Sequence, residues 1–168
     1  MPKTQQIVIN TSPLLALIAA FGDLTILPNL YKNVAVPFEV GQEILRGGKS
    51  GFGVAEFRAA SGLNKLEEPC QISPLLLNSL DLGEASVIQC ALDRHIQTVC
   101  IDEAIGRRIA RLSSLQVTGS IGILLRAKKE GYDFSMETAI ANMLKRGIRL
   151  SQPVINTALT EAKKYESS

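Results

Sequence analysis

Asp102 closes the strand-like run Thr98-Val99-Cys100-Ile101 and stands just ahead of a helical pattern over Ala104–Leu112. Asn10 has the same setting, after the unbroken β-branched run Ile7-Val8-Ile9 and before Thr11-Ser12-Pro13. Side-chain oxygens at the carboxyl ends of strands stand where open α/β sheets bind their ligands. Two glutamates on helical patterns extend the set. Glu84 precedes Val87 and Ile88 by three and four residues, on the apolar stripe of a helix over 83–95, where a carboxylate is costly without a partner. Glu43 follows Val40 by three, at the border of the apolar face of a helix over 38–45. Hard cations such as Mg²⁺ or Mn²⁺ take oxygen ligands and keep several waters, a demand that Glu43, Glu84, Asp102 and the amide oxygen of Asn10 can meet together. An ion held there activates water and stabilises charge at a phosphate. Glu39 and Glu103 are weaker candidates; Glu103, beside Asp102, can reach the same site or simply favour a helix N-terminus.

Each acid also has a plainer explanation. Asp102 reads equally well as a helix N-cap. Asp81-Leu82-Gly83-Glu84 has capping-box spacing, and the local window favours that role for Glu84. Glu43 in isolation reads as a solvated glutamate beside a glycine-rich loop over 47–53. Arg107, Arg108 and Arg111 follow Asp102 on one helix, and Arg126, Lys128 and Lys129 lie on a later one. Such runs are most often solvated faces, yet beside an acidic metal site they suit a phosphate backbone.

The elements that must carry these residues alternate. Strands are predicted at 7–9, 34–36, 98–101 and 115–118, with a weak one at 63–66. Helices are predicted between and after them, ending with 135–146 and 153–165. Ser12 is predicted to N-cap the first helix, with Pro13 at its first position. Strand–helix alternation indicates a parallel sheet with crossovers, hence an α/β sandwich in one domain over 1–168, with a core over about 5–132 and a helical extension over about 135–165.

With 168 residues, 46% apolar and 20% charged, the composition is that of a folded globular chain, and a net charge of +2 neither demands nor excludes a nucleic-acid face. Three cysteines with no close pair give no disulfide framework and no zinc pattern, which fits a reducing cytoplasm. No signal peptide or membrane span is read in the sequence. Gly48-Lys49-Ser50 lacks the leading glycine and preceding strand of a phosphate-binding loop. One histidine, His95, and no nucleophile motif leave triad hydrolysis unsupported. A phospho-receiver with Asp102 as acceptor needs an acidic pair near Asn10, and none is there.

The segments at 7–17 (Ile-Val-Ile-Asn-Thr-Ser-Pro-Leu-Leu-Ala-Leu), 36–44 (Val-Pro-Phe-Glu-Val-Gly-Gln-Glu-Ile) and 82–85 (Leu-Gly-Glu-Ala) come in order along the chain. They are followed by 101–110 (Ile-Asp-Glu-Ala-Ile-Gly-Arg-Arg-Ile-Ala), 117–128 (Val-Thr-Gly-Ser-Ile-Gly-Ile-Leu-Leu-Arg-Ala-Lys) and 147–151 (Gly-Ile-Arg-Leu-Ser). Together they resemble the PIN-domain superfamily, in a prokaryotic branch related to VapC-type toxin ribonucleases. The resemblance implies a three-layer α/β/α fold with a central parallel sheet and C-terminal helices. It also implies a Mg²⁺- or Mn²⁺-dependent endoribonuclease, the toxin of a toxin–antitoxin pair, cytoplasmic and homodimeric, with RNA as substrate and an antitoxin protein as partner. By motif position Asn10, Glu43, Glu84 and Asp102 form the catalytic and metal-binding set, with Glu103 as a further ligand and Ser12, Arg107 and Arg108 facing substrate. The first strand of PIN nucleases ends in Asp; Asn10 here removes one negative charge. The alternative is therefore a catalytically weak or inactive PIN domain that binds RNA or a protein.

Overall fold

The computed structural model describes residues 4–47 and 51–166; the loop segment 48–50 lies outside them. Ile7, Val8 and Ile9 are fully buried, as expected of a strand covered on both faces. They belong to β1 (Thr4–Ile9), the middle strand of a five-stranded sheet. Its other strands are β2 (Tyr31–Val36), β3 (Asn64–Lys65), β4 (Thr98–Cys100) and β5 (Gln116–Thr118), in the order β3-β2-β1-β4-β5. Every pairing is parallel, with Val8 opposite Ala35 on one side and Ile9 opposite Cys100 on the other. The architecture is the expected three-layer α/β/α sandwich.

The helices are α1 (Thr11–Phe21), α2 (Ile26–Leu30), α3 (Phe38–Leu45), α4 (Val54–Ala59), α5 (Pro74–Ser79) and α6 (Leu82–Arg94). The chain continues through α7 (Ala104–Leu112), α8 (Ser120–Lys129), α9 (Met136–Lys145) and α10 (Gln152–Glu166). One group packs together: α1 on α8 and α9, and α10 on α8 and α9. Another gathers around α6, which contacts α3, α5, α7, β1 and β4. Leu14 and Leu17 of α1, Ile123 and Leu124 of α8 and Met143 of α9 are fully buried between these layers. Among the described residues no helix is long and apolar enough to cross a membrane.

The first helix starts two residues earlier than its residues suggest. Asn10 holds the cap position without a side-chain bond, and Thr11 opens the helix. Pro13 is tolerated at the third position because the first N–H groups of a helix have no intrahelical acceptor. Ser12 therefore caps nothing; its hydroxyl donates to Glu103 Oε1 at 2.8 Å. The apolar stripe predicted for α6 holds at Val87, Ile88 and Ala91, whereas Leu92 faces outward.

Candidate active site

The strand order reverses between β1 and β4: successive strands run outward from β1 to β3 on one side and from β4 to β5 on the other. This is the switch point at which loops part and leave a crevice beyond the carboxyl ends of the strands. Asn10 follows β1 there, and its backbone N–H donates to Cys100 O at 3.0 Å. Asp102 lies two residues past β4 on the adjacent path.

Asn10 is only 4% exposed, and its Oδ1 is buried without a hydrogen-bond donor. Glu43, on the last turn of α3, reaches the same point. A β-carbon at Gly83 would stand 2.8 Å from Glu43 Oε2 and 3.2 Å from Asn10 Oδ1, so the absence of a side chain there keeps a space onto which both oxygens open. Thr11 Oγ1 orients Glu43 by donating to Oε2 at 2.8 Å, while Glu43 itself stays exposed, in keeping with the solvated-surface reading.

Asp81 caps α6 by accepting from Glu84 N–H at 2.8 Å, so half of the predicted capping box forms. The Glu84 carboxylate lies instead against α7. A β-carbon at Gly106 would meet Glu84 Oε2 at 2.5 Å and Ile101 Cγ2 at 2.9 Å. Burial, the hydrogen bond with Asp81 and the charges of Asp81 and Glu103 push the Glu84 carboxyl up to about 7. Asp102 does not cap the helix that follows it. Its Oδ1 accepts from Ser120 N–H at 2.8 Å, at the start of α8. Burial raises the Asp102 carboxyl, with Glu103 adding to the effect, while Ser120 and Arg107 oppose it. Arg107 donates to Ile101 O at 2.8 Å and lines a groove beside Asp102. Arg108, one residue on, is exposed and outside that groove.

The structure thus joins Asn10 to Glu43, Glu84 to Asp81, and Ser12 to Glu103, with Asp102 and Arg107 at the neighbouring edge. Sequence reasoning missed Gly83, Gly106, Thr11 and Ser120. Gly106 carried a signal, because glycine inside a helix costs about 1 kcal/mol relative to alanine and calls for a reason. In Gly106→Ala the flexible Glu84 carboxylate yields. We expect Mn²⁺ affinity to fall about tenfold, the loss typical of disturbing a ligand's support, and Tm to fall as well, because buried Ile101 Cγ2 must also give way. Calorimetry beside a thermal melt checks this; unaltered Mn²⁺ binding would show that Glu84 need not sit over α7.

Among the described residues no three acidic, histidine or cysteine side chains are grouped so that together they could hold a metal ion. Mg²⁺ does not require such a group, since it retains waters and is commonly held by one or two carboxylates. The donor set fits such an ion on two counts. A buried amide oxygen with no donor lacks the partner that burial ordinarily demands, and a cation supplies it. Two carboxyls raised by burial and by neighbouring acids are relieved by a nearby positive charge.

The burial of Glu84, with the neighbouring acids, sets a pH dependence in the metal-free protein. An unfolded glutamate titrates at about 4.3, and Glu84 in the fold near 7. Between these values the folded state holds the extra proton, so this contribution to stability is present below the unfolded value and lost as pH rises through the folded one. Glu84→Gln, uncharged throughout, should melt like the parent near pH 4 and higher at pH 8 in EDTA, by roughly 2–4 °C for each kcal/mol of lost stability that the shift carries. A difference that shrinks as pH rises would contradict this origin for the shift.

The sheet, its switch point and the acids along one edge define the class to which the sequence profile also points. A PIN-domain family profile matches residues 6–164, almost the whole chain. The chain belongs to the PIN-domain superfamily. PIN domains are generally nucleases and typically use divalent metal ions. No curated protein and no solved structure matches the sequence.

Proposed function

We propose that this PIN domain is a Mg²⁺- or Mn²⁺-dependent endoribonuclease and the toxin half of a toxin–antitoxin pair, acting in the cytoplasm as a homodimer held in check by an antitoxin protein. The observation that carries the nuclease reading is the meeting of buried, partnerless Asn10 Oδ1 with Glu43 Oε2 at the switch point, flanked by the raised carboxyls of Glu84 and Asp102. The resemblance of the ordered segments to VapC-type toxins supports the toxin reading.

Asn10, Glu43, Glu84 and Asp102 would hold the ion, with Glu103 at the margin. When bound, such an ion lowers the pKa of water and offsets charge on the phosphate. The chain's own residues do the rest. Thr11 keeps Glu43 oriented. Ser12 ties the start of α1 to Glu103 and so to the loop carrying Asp102. Arg107 presents a cation beside Asp102, where a phosphate backbone can be held. Hydrolysis joins the water oxygen to phosphorus and breaks one P–O ester bond. One proton goes to the departing ribose oxygen, and the other is taken up by the carboxylate edge.

A second reading, an RNA- or protein-binding PIN domain without cleavage, is favoured by the neutral amide at Asn10. Titration with Mn²⁺ separates the two. Heat of binding that disappears in Asp102→Asn supports the nuclease; no heat at millimolar Mn²⁺ moves the binding module ahead.

A further inference from the structure

The acidic edge has depressions on both sides, and they differ in charge. The one toward α3, about 200 Å³, is bordered by Glu39, Glu43 and Asp81 with Arg46 as its only cation. The one toward α8, about 510 Å³, has Asp102 as its only acid and two cations, Arg107 and Arg149. Arg149 belongs to Gly147-Ile148-Arg149-Leu150-Ser151, a motif that the cation site leaves unused. Folding brings this C-terminal segment back beside Asp102, because α10 packs on α8. Arg149 is exposed, and among the described residues no carboxylate pairs with it. Its charge is therefore free for a ligand.

A polyanion next to this row of acids is repelled on the α3 side and attracted on the α8 side. We propose that the groove between α7, the β5–α8 turn and the 149–154 segment is the track for the phosphate backbone of single-stranded RNA, with Arg149 of the C-terminal extension as a substrate-binding residue opposite Arg107. Guanidinium forks bind phosphate oxygens bidentately. Ser151, at the groove wall, adds a hydroxyl donor, and Val117, Ile121 and Val154 give an apolar floor for ribose and base. The lining holds no aromatic ring, so the track grips the backbone without stacking bases and imposes little sequence choice. This inference rests on the nuclease reading for its substrate and goes beyond it in direction and in residue.

The test is binding of a fluorescent, mixed-sequence single-stranded RNA in the Asp102→Asn background with Mn²⁺, compared with the same protein carrying Arg149→Ala or Lys145→Ala. Lys145 is an exposed cation at the end of α9, outside the groove. Arg149→Ala should weaken binding about tenfold and reduce the salt slope by about 0.7, one phosphate's worth for a single strand. Lys145→Ala should change neither. In the otherwise native protein, Arg149→Ala should raise KM for RNA cleavage and leave kcat nearly unchanged. Equal affinity and slope with and without Arg149, equal losses at Lys145, or no RNA binding at all would each overturn the proposal. If RNA binds through Arg149 but the native protein never cuts, the nuclease reading falls and the track stands. If cleavage proceeds with KM indifferent to Arg149, the track alone falls.

Discussion

Asp102→Asn should keep the fold and lose RNA cleavage by at least about a hundredfold. The substitution separates the two roles the side chain combines. As an acceptor, Oδ1 takes the Ser120 N–H at 2.8 Å and closes the first turn of α8. An asparagine oxygen does the same, so the β5–α8 turn keeps its geometry. As a charge, the carboxylate is held in a site where burial already disfavours ionisation. Arg107 is the cation that faces this charge without a direct ion pair, and the proposed divalent ion would offset it further. Disturbing the support of a metal ligand typically costs about 10–100-fold, so removal of the ligand's charge should cost no less. Cleavage rates and a thermal melt of the same preparation check both halves. Loss of folding would mean that the carboxylate is structural; undiminished turnover would remove Asp102 from the site.

Asn10→Asp should have effects of opposite sign with and without metal. The new carboxylate would lie at a position 4% exposed, with Glu43 Oε2 opening on the same space over Gly83. Two like charges so close and so dry disfavour each other. In EDTA the variant should therefore melt lower than the parent, by about 2–4 °C for each kcal/mol of repulsion, and more so at pH 8 than at pH 5. With Mn²⁺ the order should reverse, because the added charge faces the ion: affinity rises about tenfold or more and cleavage rises with it. Thermal melts with EDTA and with Mn²⁺ read both effects in one experiment. If the variant melts lower under both conditions, the space over Gly83 holds no cation. If only the variant cuts RNA, the natural protein is the binding module and has kept the scaffold of a nuclease.

Much of this arrangement was legible in the residues. The continuous Ile7-Val8-Ile9 run pointed to a strand buried on both faces, and β1 is the middle strand. Asp102 and Asn10 were found from their common position after strands. What was not legible depends on distance through space. Nothing local says that Asp102 caps α8, eighteen residues on, rather than the helix beginning two residues later. The capping-box spacing around Asp81 forms its first half, and the Glu84 carboxyl stays with Asp81 while lying against Gly106 of α7. Ser12 looked like a cap because its type suits one, but Thr11 already begins the helix and Glu103 offers a better acceptor. Gly83 and Gly106 matter for the atoms they leave room for, which a sequence names only after the fold is known.

In the function proposed, oxygens at the switch point hold a divalent ion on which RNA cleavage depends. This is met most directly by incubating the purified protein with a mixed pool of structured and single-stranded RNA, in Mn²⁺ and in EDTA, and following fragment lengths over time. We expect internal cleavage in Mn²⁺ that stops in EDTA and returns when Mn²⁺ is restored. An intact pool under all three conditions, or cutting that continues in EDTA, would contradict it.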